Sequence, residues 1–327
     1  MATQPLYMPD VKDLDVLSVK PVRELESCNH LLDDHDALIR FHDEEGYILL
    51  RGVLDPASVE EARQAMFAVM ERHGLIEPGA TEPVWTGTPS PGGMEESPEF
   101  SGIARQLIEN PANMKLMEKI LGEPACIIPI VQYRAYPPGG SITGVHQDGF
   151  FSPGIQNYKP VWTPLTNCER EVGGLMLAVR QCNRGFFHNV AKTPSPIPEG
   201  VIPDDSWATT DYFPGDVLIL NPCTPHASMP NTSNRCRVTI DTRVQSAADP
   251  RVLLADIVAA DTDSIRVRTT DGAERRFTVD DDTFIRIEHP GVRQKRADYV
   301  PSAAPGKRIV VVFDGDHAET LRRASEN

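Results

Sequence analysis

A histidine–aspartate pair and one distant histidine constrain the fold of this 327-residue chain more than any other feature. His146 and Asp148 are two positions apart, and His226 follows eighty positions later. Residues two apart in a β-strand point to the same face, so the first pair is expected to present an imidazole beside a carboxylate. Only a fold that closes on itself brings the second histidine opposite them. The spacing therefore favours a barrel or sandwich of β-strands.

The position of one arginine after His226 adds to this pattern. Two imidazoles and one carboxylate form the facial triad that binds Fe(II) in non-haem oxygenases and leaves three coordination positions open. Arg237 lies eleven positions after His226 and is expected to point into the barrel beside Thr239. A buried guanidinium needs a partner, and its fork suits a carboxylate. Ser228 could add a hydroxyl to the same carboxylate, whereas Arg235 lies in a turn and is expected to be solvated.

The four residues together predict an enzyme that uses Fe(II), O2 and a bidentate 2-oxo acid. Two alternatives stay open: a non-catalytic, cupin-like metal-binding β-barrel, and an iron oxygenase that does not use 2-oxoglutarate. A purely structural role fits least, because it gives a buried His/Asp/His/Arg cluster no reason to exist. The remaining histidines are expected not to bind the metal, with His188 the one nearest the site. They are His30, His35, His42, His73, His188, His289 and His317.

The composition and net charge of the chain limit the classes of molecule that it is expected to bind. The chain is 40% hydrophobic and 24% charged, which is enough for a sizeable core. A formal net charge of −15 argues against nucleic acid and anionic membranes as partners and leaves a small-molecule substrate. No apolar run reaches the roughly 18–20 residues that span a bilayer, and the N-terminal residues do not resemble a signal peptide. The six cysteines form no CxxC pair and are expected to be free thiols in a reducing, cytoplasmic compartment.

The residue patterns divide the chain into three parts. Residues 1–29 are mixed and contain proline, which predicts an extended lead-in. Residues 30–248 combine amphipathic helices with short strands between turn residues, which predicts one mainly β domain with flanking helices. Residues 249–327 alternate with the period of strands and predict a small C-terminal β appendage with a polar tail.

Helices and strands are predicted within the domain from caps and periodicity. Predicted helices cover 33–45, 56–73 behind the N-cap Asp55, and 112–121 after Pro111. Predicted strands cover 47–50, 125–136, 161–165, 174–179, 216–220 and 236–244. Residues 77–98 are expected to form a surface loop. Residues 188–210, which are rich in proline and contain Trp207, are expected to form an inserted loop near the barrel mouth.

The appendage shows the pattern of several short strands. They are predicted at 252–258, 264–269, 275–279, 283–287 and 308–313, with a hairpin turn at Asp271-Gly272. The exposed edges of these strands suggest a homodimer. A stabilising or dimerising role is one interpretation of the appendage, and covering of the active site is the other.

Three stretches resemble the phytanoyl-CoA dioxygenase (PhyH) family of Fe(II)/2-oxoglutarate-dependent oxygenases, and the match spans residues 35–245. The stretches are VHQDGFF at 145–151, VWTPLTNCEREVGGLMLAVRQCNRG at 161–185 and FPGDVLILNPCTPHASMPNTSNRCRVTID at 213–241. The resemblance implies a double-stranded β-helix, or jelly roll, of the cupin-like type. It also implies that His146, Asp148 and His226 bind iron and that Arg237, with Ser228, binds 2-oxoglutarate. Trp162 and Gln132 fall where the family often places further co-substrate contacts, with core packing as the alternative for each.

The resemblance carries expectations about the reaction as well. Related halogenases replace the carboxylate ligand by a small residue, so the presence of Asp148 argues against halogenation. The family implies oxidation of a C–H bond with release of succinate and CO2, most often hydroxylation, with desaturation or rearrangement as alternatives. VRQCNRG at 179–185 stands where the family has a segment like PGSHK, and this loop often faces the substrate. A small natural-product or metabolite scaffold is therefore preferred to an acyl-CoA thioester.

Aromatic residues near the motifs could wall an apolar substrate pocket. They could equally be ordinary core residues. These residues are Phe150, Phe151, Phe186, Phe187 and Trp207.

Overall fold

The computed structural model describes residues 20–89, 98–128, 132–140, 142–151, 158–189, 196–288 and 293–324. The helices in these ranges are α1 (His35–Glu45), α2 (Pro56–Arg72), α3 (Pro98–Glu109), α4 (Pro111–Leu121) and α5 (Asp148–Phe151). The first ten strands are β1 (Arg23–Glu24), β2 (Tyr47–Leu50), β3 (Ala125–Ile127), β4 (Gln132–Tyr136), β5 (Lys159–Pro164), β6 (Leu175–Ala178), β7 (Trp207–Thr209), β8 (Val217–Leu220), β9 (His226–Ser228) and β10 (Arg237–Ser246). The remaining strands are β11 (Val252–Ala260), β12 (Ser264–Thr269), β13 (Glu274–Thr278), β14 (Phe284–Arg286), β15 (Arg308–Asp314) and β16 (His317–Arg323).

Two sheets build the first part of the fold. The larger sheet has the order β2-β8-β5-β10-β3, and β4 also pairs with β10. The smaller sheet has the order β1-β7-β6-β9. Side chains from both sheets meet in one apolar cluster that includes Trp162 and Leu218 from the larger sheet and Leu177 from the smaller one. This sandwich is the jelly roll that the sequence predicted, and the mainly β fold class is confirmed.

The helices cover the outer face of the larger sheet. In β2, Tyr47 and Leu49 belong to the cluster between the sheets, whereas Ile48 and Leu50 pack with the helices. A strand buried on both faces is expected to be apolar throughout, as this one is. The helix starts follow their caps, since Asp34 and Asp55 accept hydrogen bonds from main-chain N–H groups in the first turns of α1 and α2. These caps explain why the first two helices could be predicted closely.

The C-terminal residues form a second β unit, which we call the C-terminal barrel (β11–β16). Its strand order is β13-β12-β11-β15-β16-β14, and β13 also pairs with β16 in parallel at Thr278 and His317. This extra pairing closes the sheet around its own core, which contains Phe277 and Leu321. The prediction of exposed strand edges is therefore wrong for β13, and the homodimer stays a prediction. The predicted boundary between 248 and 249 falls between β10 and β11.

Several local predictions are wrong. The single strand expected at 125–136 is two strands, β3 and β4, and residues 129–131 lie outside the described part. Helix α3 was not predicted. Neither was β16, which occupies the expected polar tail. Trp207 is not on a loop: it lies in β7, fully buried, with its side chain packed among Met176, Phe187 and Ile202. Strand pairing with β6 outweighs the loop-like composition of the residues that precede it.

No helix in the described ranges is both long enough and apolar enough to cross a bilayer.

A buried histidine in α1 makes the fold sensitive to acid. The side chain of His42 has no solvent exposure, and its Nδ1 lies 3.4 Å from Lys159 Nζ and 3.2 Å from Asp43 Oδ1. Burial and the charge of Lys159 lower the pKa of His42 to about 4. The ordinary histidine pKa is about 6.5, so the unfolded chain binds this proton more readily between the two values. Stability from His42 is thus full above pH 6.5 and is lost as pH falls toward 4.

We expect the free energy of unfolding to drop by about 2 kcal/mol between pH 7 and pH 5 through His42 alone. His42→Gln should remove this part of the dependence, because glutamine does not titrate. Urea unfolding of both proteins at the two pH values measures the difference. An equal drop in the variant would show that His42 is not responsible.

Candidate active site

Two histidines from distant parts of the chain are joined by their main chains. His146 N donates to His226 O at 3.0 Å, and His226 N donates to His146 O at 2.9 Å, so the two residues form an isolated antiparallel bridge. Residues directly opposite in such a bridge project their side chains to the same side. Their ring centroids are 4.2 Å apart. The closure that the spacing demanded is therefore made at the histidines themselves.

Each imidazole is oriented through its Nδ1 atom. His146 Nδ1 lies 2.9 Å from the Gly144 carbonyl oxygen, and His226 Nδ1 lies 3.0 Å from the Thr224 carbonyl oxygen. A carbonyl accepts only, so Nδ1 of each ring carries a proton, and Nε2 is the nitrogen that has the lone pair when the ring is neutral. Burial lowers the pKa of His226 to about 4, which keeps this ring neutral. Neutral imidazoles that offer Nε2 are the form in which histidine binds metals.

Asp148 supplies the carboxylate, though not from a strand. It is the first residue of the short helix α5, so the expectation that His146 and Asp148 share a strand face is wrong. The two groups are nonetheless close, with His146 Nε2 3.6 Å from Asp148 Oδ1. Burial opposes ionisation of Asp148, but Arg243 and the two imidazoles hold its pKa well below the usual range. For His146, burial favours the neutral ring, yet the hydrogen bond and charge of Asp148 outweigh burial and raise its pKa.

Within the described residues, these three side chains form a cluster that could hold a metal ion. Their ligand atoms all lie within 4.8 Å of one another. Ligands about 2.1 Å from one metal ion and at right angles to each other lie about 3 Å apart. A small contraction would therefore close the cluster around an ion. Two neutral nitrogen ligands and one carboxylate on one side suit Fe(II). The residues present fit that metal.

Gln147 points away from the metal cluster, as expected, and anchors the loop that carries two of its members. Its side-chain amide donates to the carbonyl oxygens of Gly185 at 2.9 Å and Cys223 at 2.6 Å. Its side-chain oxygen accepts from Phe187 N at 2.8 Å. The main-chain N–H of Gln147 donates to His188 Nε2 at 3.1 Å, so His188 lies beside the cluster without joining it. One buried amide thus ties the ligand loop to two other segments.

Arg237 and Ser228 lie where the sequence predicted, on the same pocket. Arg237 is only 1% exposed, and its Nη2 donates to Ser228 Oγ at 3.0 Å. Its Nη1 donates to the Gly173 carbonyl oxygen, and its guanidinium carbon lies 4.3 Å from the ring centroid of Tyr136. The aromatic face and the hydroxyl hold a rigid cation, which suits an incoming carboxylate.

A pocket joins the metal cluster to this arginine. It is lined by Tyr136, Thr143, His146, Asp148, Pro160, Trp162, Leu175, Leu220, His226, Ser228, Arg237 and Asp241. Trp162 thus reaches the predicted site. Gln132 lies on β4 with its main chain opposite Asp241, and its side chain is outside the described part.

The aromatic residues predicted to wall the pocket, and Arg235, do not all lie where they were expected. Phe150 stacks on His188 with ring centroids 4.0 Å apart and meets Phe186 edge-on. Phe187 packs with Trp207 on the outer side of the smaller sheet, so neither walls the pocket. The side chain of Phe151 is outside the described part. Arg235 is less solvated than expected, because Glu82, Glu169 and Glu171 surround its guanidinium.

Sequence reasoning missed Arg243 and Asp241. Arg243 Nη2 lies 3.3 Å from Asp148 Oδ2, and Arg243 Nη1 lies 3.1 Å from Asp241 Oδ1. The alternation of polar and apolar residues along β10 could have indicated these two residues. Arg237, Thr239, Asp241 and Arg243 occupy one face, while the apolar residues Val238, Ile240 and Val244 pack with the helices. Four polar residues on the inner face of a buried strand indicate a site rather than a core.

The sequence matches the profile of Phytanoyl-CoA dioxygenase (PhyH) over residues 42–239. The chain belongs to the phytanoyl-CoA dioxygenase family. A 1-deoxypentalenic acid 11-beta-hydroxylase from Streptomyces exfoliatus is 31% identical over 245 residues, which are 68% of this chain and 86% of the relative. The Streptomyces arenae enzyme of the same name is 31% identical over 246 residues, again 68% of this chain and 86% of the relative.

Solved structures of similar arrangement are more distant in sequence. EctD from S. alaskensis, solved with 2-oxoglutarate and 5-hydroxyectoine, has a TM-score of 0.49 at 16% identity. The match covers 75% of this chain and 88% of the EctD chain. The epimerase SnoN, solved with Fe3+, alpha ketoglutarate and nogalamycin RO, has a TM-score of 0.48 at 18% identity and covers 65% and 85%.

This member of the family is an Fe(II)- and 2-oxoglutarate-dependent oxygenase. The family and the hydroxylase relatives confirm the predicted enzyme class and co-substrate. A His/Asp/His cluster that could hold the iron is present among the described residues. The alternatives of a non-catalytic barrel and of an oxygenase independent of 2-oxoglutarate are set aside.

We expect Gln147→Ala to destabilise the fold by about 2–4 kcal/mol, because it leaves buried carbonyl groups unpaired. The exposed Gln64 on α2, whose amide donates to Glu60 Oε1 at 2.8 Å, offers a control. Gln64→Ala should change the free energy of unfolding by less than about 0.5 kcal/mol. Urea unfolding at neutral pH measures both. Equal small effects would show that Gln147 does not anchor the loop.

Proposed function

We propose that His146, Asp148 and His226 bind the Fe(II) and that Arg237, with Ser228, binds the distal carboxylate of 2-oxoglutarate. The observation that carries this proposal is that both sets of residues line one pocket. Trp162 would pack against the co-substrate from the larger sheet. When bound, the iron would let O2 react with 2-oxoglutarate, so that one oxygen atom ends in succinate as CO2 is released and the other is available to oxidise a C–H bond of the substrate.

The protein's own residues would orient the reactants and limit water. The two Nδ1 hydrogen bonds fix the imidazoles, and Arg243 holds one carboxylate oxygen of Asp148 so that the other turns toward His146. Arg237 is already confined between Ser228 and the ring of Tyr136. Little side-chain entropy would therefore be lost when 2-oxoglutarate binds.

For the substrate, we propose a small natural-product metabolite that is hydroxylated at an unactivated carbon. The two hydroxylase relatives act, by their names, on 1-deoxypentalenic acid, which supports hydroxylation of a small molecule. We also propose that residues 30–248 form the catalytic domain and residues 249–327 a distinct appendage.

The metal assignment is tested by anaerobic titration with Fe(II) and then 2-oxoglutarate. We expect wild type to develop the weak visible absorption band of the Fe(II)–2-oxoglutarate chelate. His226→Ala should lose the band, because removal of a ligand weakens metal binding at least about tenfold. His73→Ala, at the end of α2, serves as the control and should keep the band. A band of full intensity in His226→Ala would exclude His226 as a ligand.

The co-substrate assignment is tested with two neighbouring arginines. Arg237→Gln should raise the dissociation constant of 2-oxoglutarate by about 10–100-fold, because a buried charge-assisted hydrogen bond is lost. Arg235→Gln should change it less than about twofold, since Arg235 pairs with glutamates instead. Titration of the same band, or calorimetry, gives both constants. Similar constants for wild type and Arg237→Gln would contradict the assignment.

A further inference from the structure

The C-terminal barrel places two arginines against the iron-binding half of the protein. β14 and β16 run in parallel, with Arg286 directly opposite Arg322. On the same barrel surface, Val310 and Val312 pack with Ile128 and Tyr158 of the jelly-roll part. This surface is therefore the one that the barrel turns toward the active-site domain, and both arginines lie on it.

The two arginines join Arg243 in one electrostatic cluster. Burial, together with the positive charges of Arg286 and Arg243, lowers the pKa of Arg322 to about 9 against the opposing charges of Tyr158 and Asp148. Burial and the charge of Arg243 likewise lower the pKa of Arg286 to about 10. A lowered arginine pKa means that the surroundings disfavour the cation. At this junction the cost of burying the Arg322 cation is increased by the two neighbouring cations Arg286 and Arg243.

Arg322 is the member of the cluster whose charge is least compensated. It is half-buried, yet in the described part of the chain its guanidinium has no carboxylate within ion-pair distance and donates no hydrogen bond. An arginine that served only to join the barrel to the jelly roll would be expected to pair across the junction. Several exposed arginines of the barrel do have a carboxylate partner, as the pairs of Arg268 with Glu274 at 2.7 Å and Arg308 with Asp256 at 2.9 Å illustrate.

The nearby carboxylates do not neutralise the positive charge of Arg322 and Arg286. Asp148 and Asp241 both pair with Arg243. Asp148 is also a proposed iron ligand, and bound Fe(II) would add two further positive charges beside it. The distal carboxylate of 2-oxoglutarate is assigned to Arg237, on another part of the pocket. In a chain with a net charge of −15, a local excess of cations attracts and orients an anion.

We propose that Arg322, with Arg286 beside it, binds an oxyanion of the oxidised substrate, a carboxylate or a phosphate, so that the C-terminal barrel forms one wall of the active site. The proposal rests on the proposed function and narrows its substrate to an anionic small molecule. The fork of a guanidinium matches both oxyanions, and two adjacent forks can hold one group from two directions. The barrel then has a role beyond added stability.

A binding experiment tests the site without a known substrate. Protein loaded with Fe(II) and saturating 2-oxoglutarate is heated anaerobically in sodium benzoate, sodium phosphate or sodium chloride of equal ionic strength. We expect benzoate or phosphate to raise the wild-type Tm by about 2 °C or more over chloride, because a bound anion stabilises the native state. Arg322→Gln should lose the rise, and the control Arg268→Gln should keep it. The anion that gives the larger rise distinguishes carboxylate from phosphate.

A turnover experiment tests the substrate class. Carboxylic acids are compared with their methyl esters, and phosphate monoesters with their parent alcohols, by succinate formation above the background. We expect wild type to prefer the ionised member by about tenfold or more in kcat/KM, Arg322→Gln to lose that preference, and the control Arg268→Gln to keep it. Arg322→Lys should restore part of the preference, because it restores the charge but not the fork.

Three results would overturn the proposal: no Tm rise with either anion in wild type, the same rise in Arg322→Gln, or preference for the neutral members. Failure of the proposed function looks different. It would appear as loss of the Fe(II)–2-oxoglutarate band in wild type, before any anion is added.

Discussion

The reciprocal main-chain hydrogen bonds between His146 and His226 are the interaction on which the active site depends. They join two segments eighty positions apart and set the histidines side by side before any metal is considered. Because the link is made by backbone groups, the separation of the two main chains at the histidines does not depend on flexible side chains. The carbonyl oxygens of Gly144 and Thr224 then fix how each ring is turned. The fold thereby supplies a preorganised half of the proposed metal site.

The second half of the site is an arrangement of charges around Asp148. One of its oxygens lies near His146 and the other near Arg243, so a single carboxylate connects the proposed iron site to the arginines behind it. Asp241 shares Arg243 and lines the pocket as well. Such a network holds a carboxylate ionised in a partly buried position, where burial alone would favour its neutral form.

Much of this organisation could be predicted from the sequence, for identifiable physical reasons. Helix caps such as Asp55, the turn at Asp271-Gly272 and the alternation of the C-terminal strands are local signals, and the structure follows them. The grouping of His146, Asp148, His226 and Arg237 followed from the chemistry of one metal and one co-substrate. The local path at Asp148 could not be predicted, because three residues are too few to distinguish a strand from a helical turn.

Long-range features escaped prediction altogether. The polar tail became β16 because β14 and β15 offered it partners on both sides. The proximity of Arg243, Arg286 and Arg322 depends on how the barrel packs against Ile128 and Tyr158. No pattern along the chain records that contact.

The two faces of β10 have a consequence for how this protein can change over generations. The strand packs against the helices with one set of residues and borders the pocket with the alternate set. Insertion or loss of a single residue within it would exchange the two sets and bury Arg237 among apolar helix side chains. Its length is therefore constrained far more strictly than its individual residues. New substrates are more readily accommodated through loops, where length can drift without inverting a face.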